Sequence, residues 1–154
     1  MCDKQIKNIS SEQFFSMNLS SSSDPEFKLV RVIRPEHGNF MVDIRQTNKG
    51  AKTEAGACLL APEFRWLVQV IGSNEAPKKS LDHGRRTIRV EKDEQYFTIY
   101  VKKANDTTSR VSLKNEEYNK LRAVIGNLEN ELLNLSRRCG IKIDFDEDKY
   151  IREY

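Results

Sequence analysis

The sequence has few of the residues from which catalytic and metal centres are built. Its 154 residues include three cysteines and two histidines. Cys2, Cys58 and Cys139 lie far apart, and no CxxC pair is present to open a zinc site. His37 and His83 each sit beside a glycine, without a nucleophile elbow, an HExxH motif or a glycine-rich phosphate loop in the sequence. These absences predict a protein that is not an enzyme and that has no cofactor or metal site.

Long apolar runs are also missing. No stretch approaches the roughly 20 apolar residues that span a bilayer, and the first residues have no apolar segment of the signal-peptide type. We therefore expect a soluble, intracellular protein without a membrane partner. The net charge of +3 is too small to indicate nucleic acid by itself, so the distribution of charge has to be considered.

An internal repeat organises the chain. Residues 40–45 align with residues 97–102, with large apolar residues at the first, third and fifth positions and a cation at the sixth. Residues 59–71 align with residues 113–125 in the same order along the chain. The alignment predicts two tandem units that share one core.

Each unit reads as strands followed by a helix. Val, Ile, Phe and Tyr alternate with polar residues in the aligned segments, which is typical of β-strands. One helix is predicted to begin at Pro62 and end at Gly72, and a longer one to begin at Asn115 and end at Gly140. The sequence therefore predicts an α+β fold.

The second helix carries an apolar seam with heptad-like spacing. Its members are Leu121, Ile125, Leu128, Leu132 and Leu135. The first half of this seam is predicted to lie on the helix's own sheet. The second half is expected to pack on the helix of the other repeat or on a second subunit, which leaves self-association open.

Composition sets the predicted boundaries. The repeats occupy 27–71 and 85–140. A Ser-rich flexible tail is predicted over 1–26, a turn-rich linker over 72–84 and an acidic tail over 141–154, because these segments lack apolar periodicity.

The two β segments are basic. Residues 27–71 hold seven Lys and Arg against four Asp and Glu, and residues 85–114 hold eight against four. Alternation in the strands predicts an outward face of Arg31, Arg45, Arg89, Tyr96, Tyr100 and Lys102, extended by the loop cations Lys49, Lys52, Lys103 and Arg110. Cations for phosphates beside rings for bases are typical of single-strand binding, although exposed strands also carry such residues for solubility.

Two short motifs resemble known families. Residues 42–45 (VDIR) and 111–121 (VSLKNEEYNKL) are similar to the strand-two and strand-four-to-helix signature of positive cofactor four, the Sub-one family of transcriptional coactivators. Residues 43–50 (DIRQTNKG) and 63–65 (EFR) resemble Pur-alpha repeats more weakly.

These resemblances imply a fold and a function. Each repeat would be a curved antiparallel four-stranded sheet followed by a helix, and the two repeats would pair as an intramolecular pseudo-dimer that binds single-stranded nucleic acid. The families' strand arginines fall on Arg34 and Arg45 and, conservatively, on Lys102. The chain departs from the first family in the turns before strand two, where residues 36–39 and 93–96 are acidic rather than basic.

Two functions follow as hypotheses. The first is a nuclear protein that binds single-stranded DNA or RNA in transcription or genome maintenance, with the cytoplasm as the alternative location. The second is a non-enzymatic protein-interaction or dimerisation module of the same fold, with transcription-machinery proteins or a second copy as its partners.

Overall fold

The computed structural model describes residues 11–20, 26–35, 39–48, 51–73, 78–140 and 151–153. They form an α+β fold of two antiparallel sheets, each followed by a helix, as predicted. The first half contains β1 (Ser11–Asn18), β2 (Glu26–Pro35), β3 (Met41–Asn48), β4 (Ala51–Leu60) and α1 (Ala61–Ser73). The second half contains β5 (Lys78–His83), β6 (Arg86–Lys92), β7 (Tyr96–Lys102), β8 (Thr108–Lys114), α2 (Asn115–Cys139) and β9 (Ile151–Glu153).

Both sheets are meanders in which consecutive strands are neighbours. The first has the order β1-β2-β3-β4, and the second has the order β8-β7-β6-β5-β9. The added strand β9 pairs antiparallel with β5. Within the described residues no helix is long and apolar enough to cross a membrane.

The first strand of each sheet lies outside the repeat boundaries predicted from the sequence. Strand β1 falls in the predicted tail, β5 in the predicted linker and β9 in the predicted acidic tail. The segments SEQFFSMN and KKSLDH have weak apolar alternation, and their order comes from pairing with β2 and β6 rather than from local pattern. The rest of the predicted tails and linker lies outside the described residues.

One hydrophobic core is shared by both halves. It joins the inner faces of the two sheets to the apolar sides of the two helices. The aligned aromatic positions of the repeat meet in it, since Phe40 and Phe64 are fully buried and the rings of Phe97 and Tyr118 lie 4.7 Å apart. The two halves therefore fold around a single interior.

The apolar seam of α2 is buried in that core over its whole length. Each of its five members is at most 5% exposed within the single chain. The second half of the seam therefore packs within this chain, which is one of the two alternatives that the sequence left open. Gly140 ends α2 at a φ of 65°, the left-handed conformation expected of a terminal glycine.

A buried glutamate in the first turn of α1 joins the two halves. Oε1 of Glu63 accepts the backbone N–H of Leu60 at 2.9 Å, which closes the helix start onto the end of β4. Oε2 lies 2.8 Å from Nδ1 of His83 and accepts from Nε of Arg86 at 2.9 Å. His83 and Arg86 flank the β5–β6 turn, so the first helix is fixed to the first hairpin of the second half.

Glu117, in the first turn of α2, makes the matching contacts from the second half to the first. Oε1 of Glu117 accepts the backbone N–H of Lys114 at 2.9 Å. Its other oxygen accepts the hydroxyl of Ser20, and Nζ of Lys28 lies 3.5 Å from Oε1. Ser20 and Lys28 belong to the β1–β2 connection and β2 of the first half. Each glutamate thus binds its own strand end and the first hairpin of the other half.

The buried seam generates a first prediction. We expect Leu128→Ala to lower the free energy of unfolding by about 2–5 kcal/mol, because it opens a cavity in the shared core. The control is Asn127→Ala, at the exposed residue that precedes Leu128. It should change the free energy of unfolding by less than about 0.5 kcal/mol. Urea unfolding measures both. A small effect of Leu128→Ala, together with a dimer in sedimentation that the substitution dissociates, would contradict burial within one chain.

The Glu63 cluster predicts a pH dependence. Burial raises the pKa of Glu63, but hydrogen bonds from His83 and Arg86 and the charge of Arg86 outweigh it and lower the pKa below 4.5. The carboxylate therefore stabilises the folded chain above pH 4.5, and this contribution is lost as the pH falls through the lowered pKa. Glu63→Gln should cost about 3–5 kcal/mol at pH 7 and progressively less towards pH 3.

The matched control for this prediction is Glu116→Gln, an exposed first-turn glutamate in α2. Denaturant unfolding of the three proteins at several pH values gives the comparison. Parallel stability profiles for the wild type and Glu63→Gln would show that the cluster does not hold the charged carboxylate.

Candidate nucleic-acid interface

The outer face of the second sheet is open and carries the predicted cations and rings. The strand register places Arg89 of β6 opposite Tyr100 of β7, and Tyr100 opposite Arg110 of β8. These three side chains form a row across the sheet, because directly opposed residues in antiparallel strands point to the same side. We call Arg89, Tyr100 and Arg110 the central row.

Arg89 and Tyr100 are held against each other. The guanidinium carbon of Arg89 lies 4.3 Å from the centroid of the Tyr100 ring, which is cation–π distance. The Tyr100 hydroxyl donates to Oε2 of Glu91 at 3.4 Å, and Nε of Arg89 lies 3.6 Å from Oε1 of the same carboxylate. Half of the Arg89 side chain remains exposed. The pair is therefore oriented while a planar cationic surface still faces solvent.

Further predicted residues surround the central row. Tyr96 is the one large hydrophobic residue that is exposed in the described part of the chain, at 42%. Lys103 and Arg110 are exposed. Lys102 is 55% exposed and lies 3.6 Å from the still more exposed Asp106, a pairing that water screens and that leaves the lysine available.

The acidic turn before β7 has a structural role. Oδ1 of Asp93 accepts the backbone N–H groups of Gln95 and Tyr96, each at 2.7 Å. These two hydrogen bonds lower the pKa of the exposed Asp93 carboxyl, and the bond from Tyr96 has the larger effect. The carboxylate is thus engaged in forming the turn that positions Tyr96 at the start of β7.

The first sheet does not present the face that the sequence predicts. Asp43 points outward as expected but is fully buried, with Nε of Arg31 at 2.8 Å and Nε of Arg45 at 3.0 Å from Oδ2. Nη1 of Arg45 also donates to the carbonyl of Thr53 at 2.6 Å. The Arg31 side chain is 12% exposed and that of Arg45 21% exposed. The prediction of an exposed Arg31 is therefore wrong, because alternation sets the side of the sheet and not the degree of burial.

A glycine allows this packing. The guanidinium of Arg45 lies over Gly56 of β4, where a Cβ would come within 2.6 Å of the Arg45 guanidinium carbon. Only a residue without a side chain leaves room for the arginine to turn towards Asp43. The sequence shows no signal for this contact except an isolated glycine inside a strand.

The remaining predicted cations do not join the central row. Arg34 is half-buried, with its guanidinium carbon 6.0 Å from the ring of Phe40 on the inner side of the sheet. Lys49 lies outside the described residues, and so does the side chain of Lys52. The structure therefore brings together the candidates of the second half, and of the first-half candidates whose side chains are described only Arg45 lies near them.

A cleft of about 630 Å³ lies where β4 of the first sheet meets the β7–β8 turn and β8 of the second. Its charged and hydroxyl-bearing lining residues are Arg45, Lys103, Thr107, Thr108, Ser109 and Arg110. Cys58 also lines it, and burial, followed by the charge of Asp43, raises the pKa of this thiol to about 11. The thiol is uncharged at neutral pH. Sequence reasoning named the three cations but not the cleft, which depends on how the two sheets meet.

Comparisons with known proteins show little. No family model matches the chain, and no curated protein is similar to it. Among solved structures, the crystal structures of MRP1/MRP2 from Trypanosoma brucei are similar, at 15% identity and a TM-score of 0.44, over 80% of this chain and 95% of that chain. A likeness of this size carries no conclusion about function.

The buried charge cluster of the first sheet generates a prediction. We expect Asp43→Asn to lower the free energy of unfolding by about 3–5 kcal/mol, because two guanidinium groups lose their shared carboxylate. The control Asp106→Asn removes an exposed carboxylate beside Lys102 and should cost about 0–1 kcal/mol. Thermal and urea unfolding test the pair. Equal, small effects would mean that Asp43 is solvated in solution.

Proposed function

We propose that this chain is a non-enzymatic single-stranded nucleic-acid-binding protein of transcription or genome maintenance, acting in the nucleus. It binds unpaired DNA or RNA on the outer face of the second sheet. The observation that carries the proposal is the central row, in which an oriented arginine–tyrosine pair and a free arginine lie side by side on an open surface.

The geometry favours unpaired strands over a duplex. Bases stack on tyrosine rings and on guanidinium planes only after they have left a double helix, and each such stack is worth about 1–3 kcal/mol. Tyr96 and the Arg89 plane, which Tyr100 supports from below, supply such surfaces, while Lys102 and Arg110 face the phosphates. The open sheet has no element, within the described residues, that would enter a groove of duplex DNA.

We also propose that the two halves pair as an intramolecular pseudo-dimer, as the family resemblance implies. The reciprocal bonds of Glu63 and Glu117 and the shared core support it, because each half contributes the same kind of contact to the other. In this pairing the halves differ in role. The second half binds the strand, and the first half, whose Arg31 and Arg45 are engaged by Asp43, supports it.

The resemblance to the positive cofactor four family agrees with this assignment in part. The strand-two cation of the second repeat, Lys102, is exposed. The corresponding Arg45 of the first repeat is held in an internal ion pair. The alternative is a protein-interaction or dimerisation module, and the burial of the α2 seam within the chain supports the first function over a module that uses this seam.

Binding should depend steeply on salt and on the central row. Fluorescence anisotropy with a labelled unpaired DNA, the matching RNA and the duplex should show tighter binding of the unpaired strands, with a logarithmic salt slope of about −0.7 per phosphate contacted. Arg89→Glu and Arg110→Glu should each weaken binding at least tenfold. Tyr100→Ala should weaken it by about 1–3 kcal/mol with little change in slope.

The matched control is Arg122→Glu, which makes the same charge change on the exposed side of α2. It should leave affinity within about twofold. If all three charge reversals weaken binding equally, attraction is only to net positive charge. If the wild type shows no salt-sensitive binding at low ionic strength, the chain is not a nucleic-acid-binding protein.

A further inference from the structure

We propose that the cleft between the two sheets binds a nucleotide phosphomonoester. The cleft is built by β4, β8 and the β7–β8 turn, outside the central row except for Arg110. The phosphomonoester group could belong to a free nucleotide or to the phosphorylated end of a nucleic-acid strand. Only the second rests on the function proposed above.

The charge of the lining favours an anion. Three of the lining side chains are cations, and none is a carboxylate. Lys103 and Arg110 have no carboxylate partner within the described residues, and both are exposed towards solvent. Arg45, the third cation of the lining, shares the single carboxylate of Asp43 with Arg31.

The hydrogen-bond donors suit a monoester in particular. A phosphomonoester carries a charge of about −1.5 to −2 at neutral pH and presents three acceptor oxygens, whereas a phosphodiester inside a strand carries a single charge. Lys103 and Arg110, whose guanidinium is a forked donor, line the cleft together with the hydroxyl-bearing Thr107 and Thr108. The protonated Cys58 thiol adds no opposing charge.

The size of the cleft admits more than an isolated anion. Its volume of about 630 Å³ lies within the range of about 300–1,000 Å³ that is typical of small-ligand sites. Ala55 supplies an apolar patch beside the cations. A nucleoside attached to the phosphate therefore has space and a surface to contact.

The cleft also lies where the exposed cationic surface stops. On the first sheet next to it, Leu29 and Ile33 are nearly buried and Asp43 is completely so. A strand that follows the central row through Arg110 reaches the cleft and finds no exposed cation of the described first-sheet face beyond it. This is the position expected for a terminal phosphate rather than for a continuing backbone.

Titration calorimetry with AMP, adenosine and inorganic phosphate tests the site directly on the full chain. We expect saturable AMP binding, at least tenfold weaker binding of adenosine, and a loss of at least tenfold for AMP in Lys103→Glu and in the milder Lys103→Ala. Arg122→Glu should leave AMP binding within about twofold. Absence of saturable AMP binding, or equal binding of AMP and adenosine, overturns the free-nucleotide source.

Anisotropy with one labelled oligonucleotide carrying a 5′-phosphate, a 3′-phosphate or hydroxyl ends tests the strand end. A phosphorylated end that binds at least fivefold tighter, with the preference lost in Lys103→Glu, assigns the cleft to strand ends. If the phosphorylated and unphosphorylated oligonucleotides bind equally well and AMP still binds, the cleft is assigned to free nucleotides. If the chain shows no saturable AMP binding and no preference for a phosphorylated end, the inference is refuted. AMP binding without oligonucleotide binding refutes only the proposed function.

Discussion

The structure depends on two carboxylates that are buried where helix, strand and opposite hairpin meet. A buried carboxylate without partners is costly, and Glu63 and Glu117 are tolerated because each collects a backbone N–H from its own half and side-chain donors from the other. The same two groups start the helices and fix the relation between the sheets. Since the cleft and the end of the central row lie where the sheets meet, the geometry of the candidate interface follows from these contacts.

The two outer faces show how one pattern leads to opposite results. Arg31 and Arg89 occupy aligned positions, and so do Asp43 and Tyr100, and in each half the arginine lies opposite its partner across two strands. In the first half the partner is a carboxylate, and the arginine forms an ion pair with it and is mostly buried. In the second half the partner is a ring, and the arginine stacks on it while remaining exposed. The residue type opposite the arginine thus accompanies a buried ion pair in one half and an exposed, stacked arginine in the other.

The sequence predicted the fold class, the repeat, both helices and the side of the sheet to which each strand residue points. These depend on local periodicity, which the alignment of residues 40–45 with 97–102 and of residues 59–71 with 113–125 makes visible. Strands β1 and β5 were missed because their order comes from pairing with the next strand rather than from apolar alternation, and β9 because it pairs with β5, far away in the sequence. The burial of Asp43, the contact of Arg45 with Gly56 and the cleft were missed because they depend on how separate elements pack, for which alternation holds no information.

Under the proposed function, the unequal halves have a consequence for the direction in which a polynucleotide lies on the molecule. A homodimer related by a two-fold axis offers the same surface twice, and a strand laid across it meets an equivalent path in either sense. In this chain Asp43 and Tyr100 break that equivalence, because they stand at matching places with opposite character. A ligand that crosses the molecule therefore encounters an ordered series of groups, and its two polarities become energetically distinct. Because both halves belong to one chain, each can carry its own residue at the aligned position.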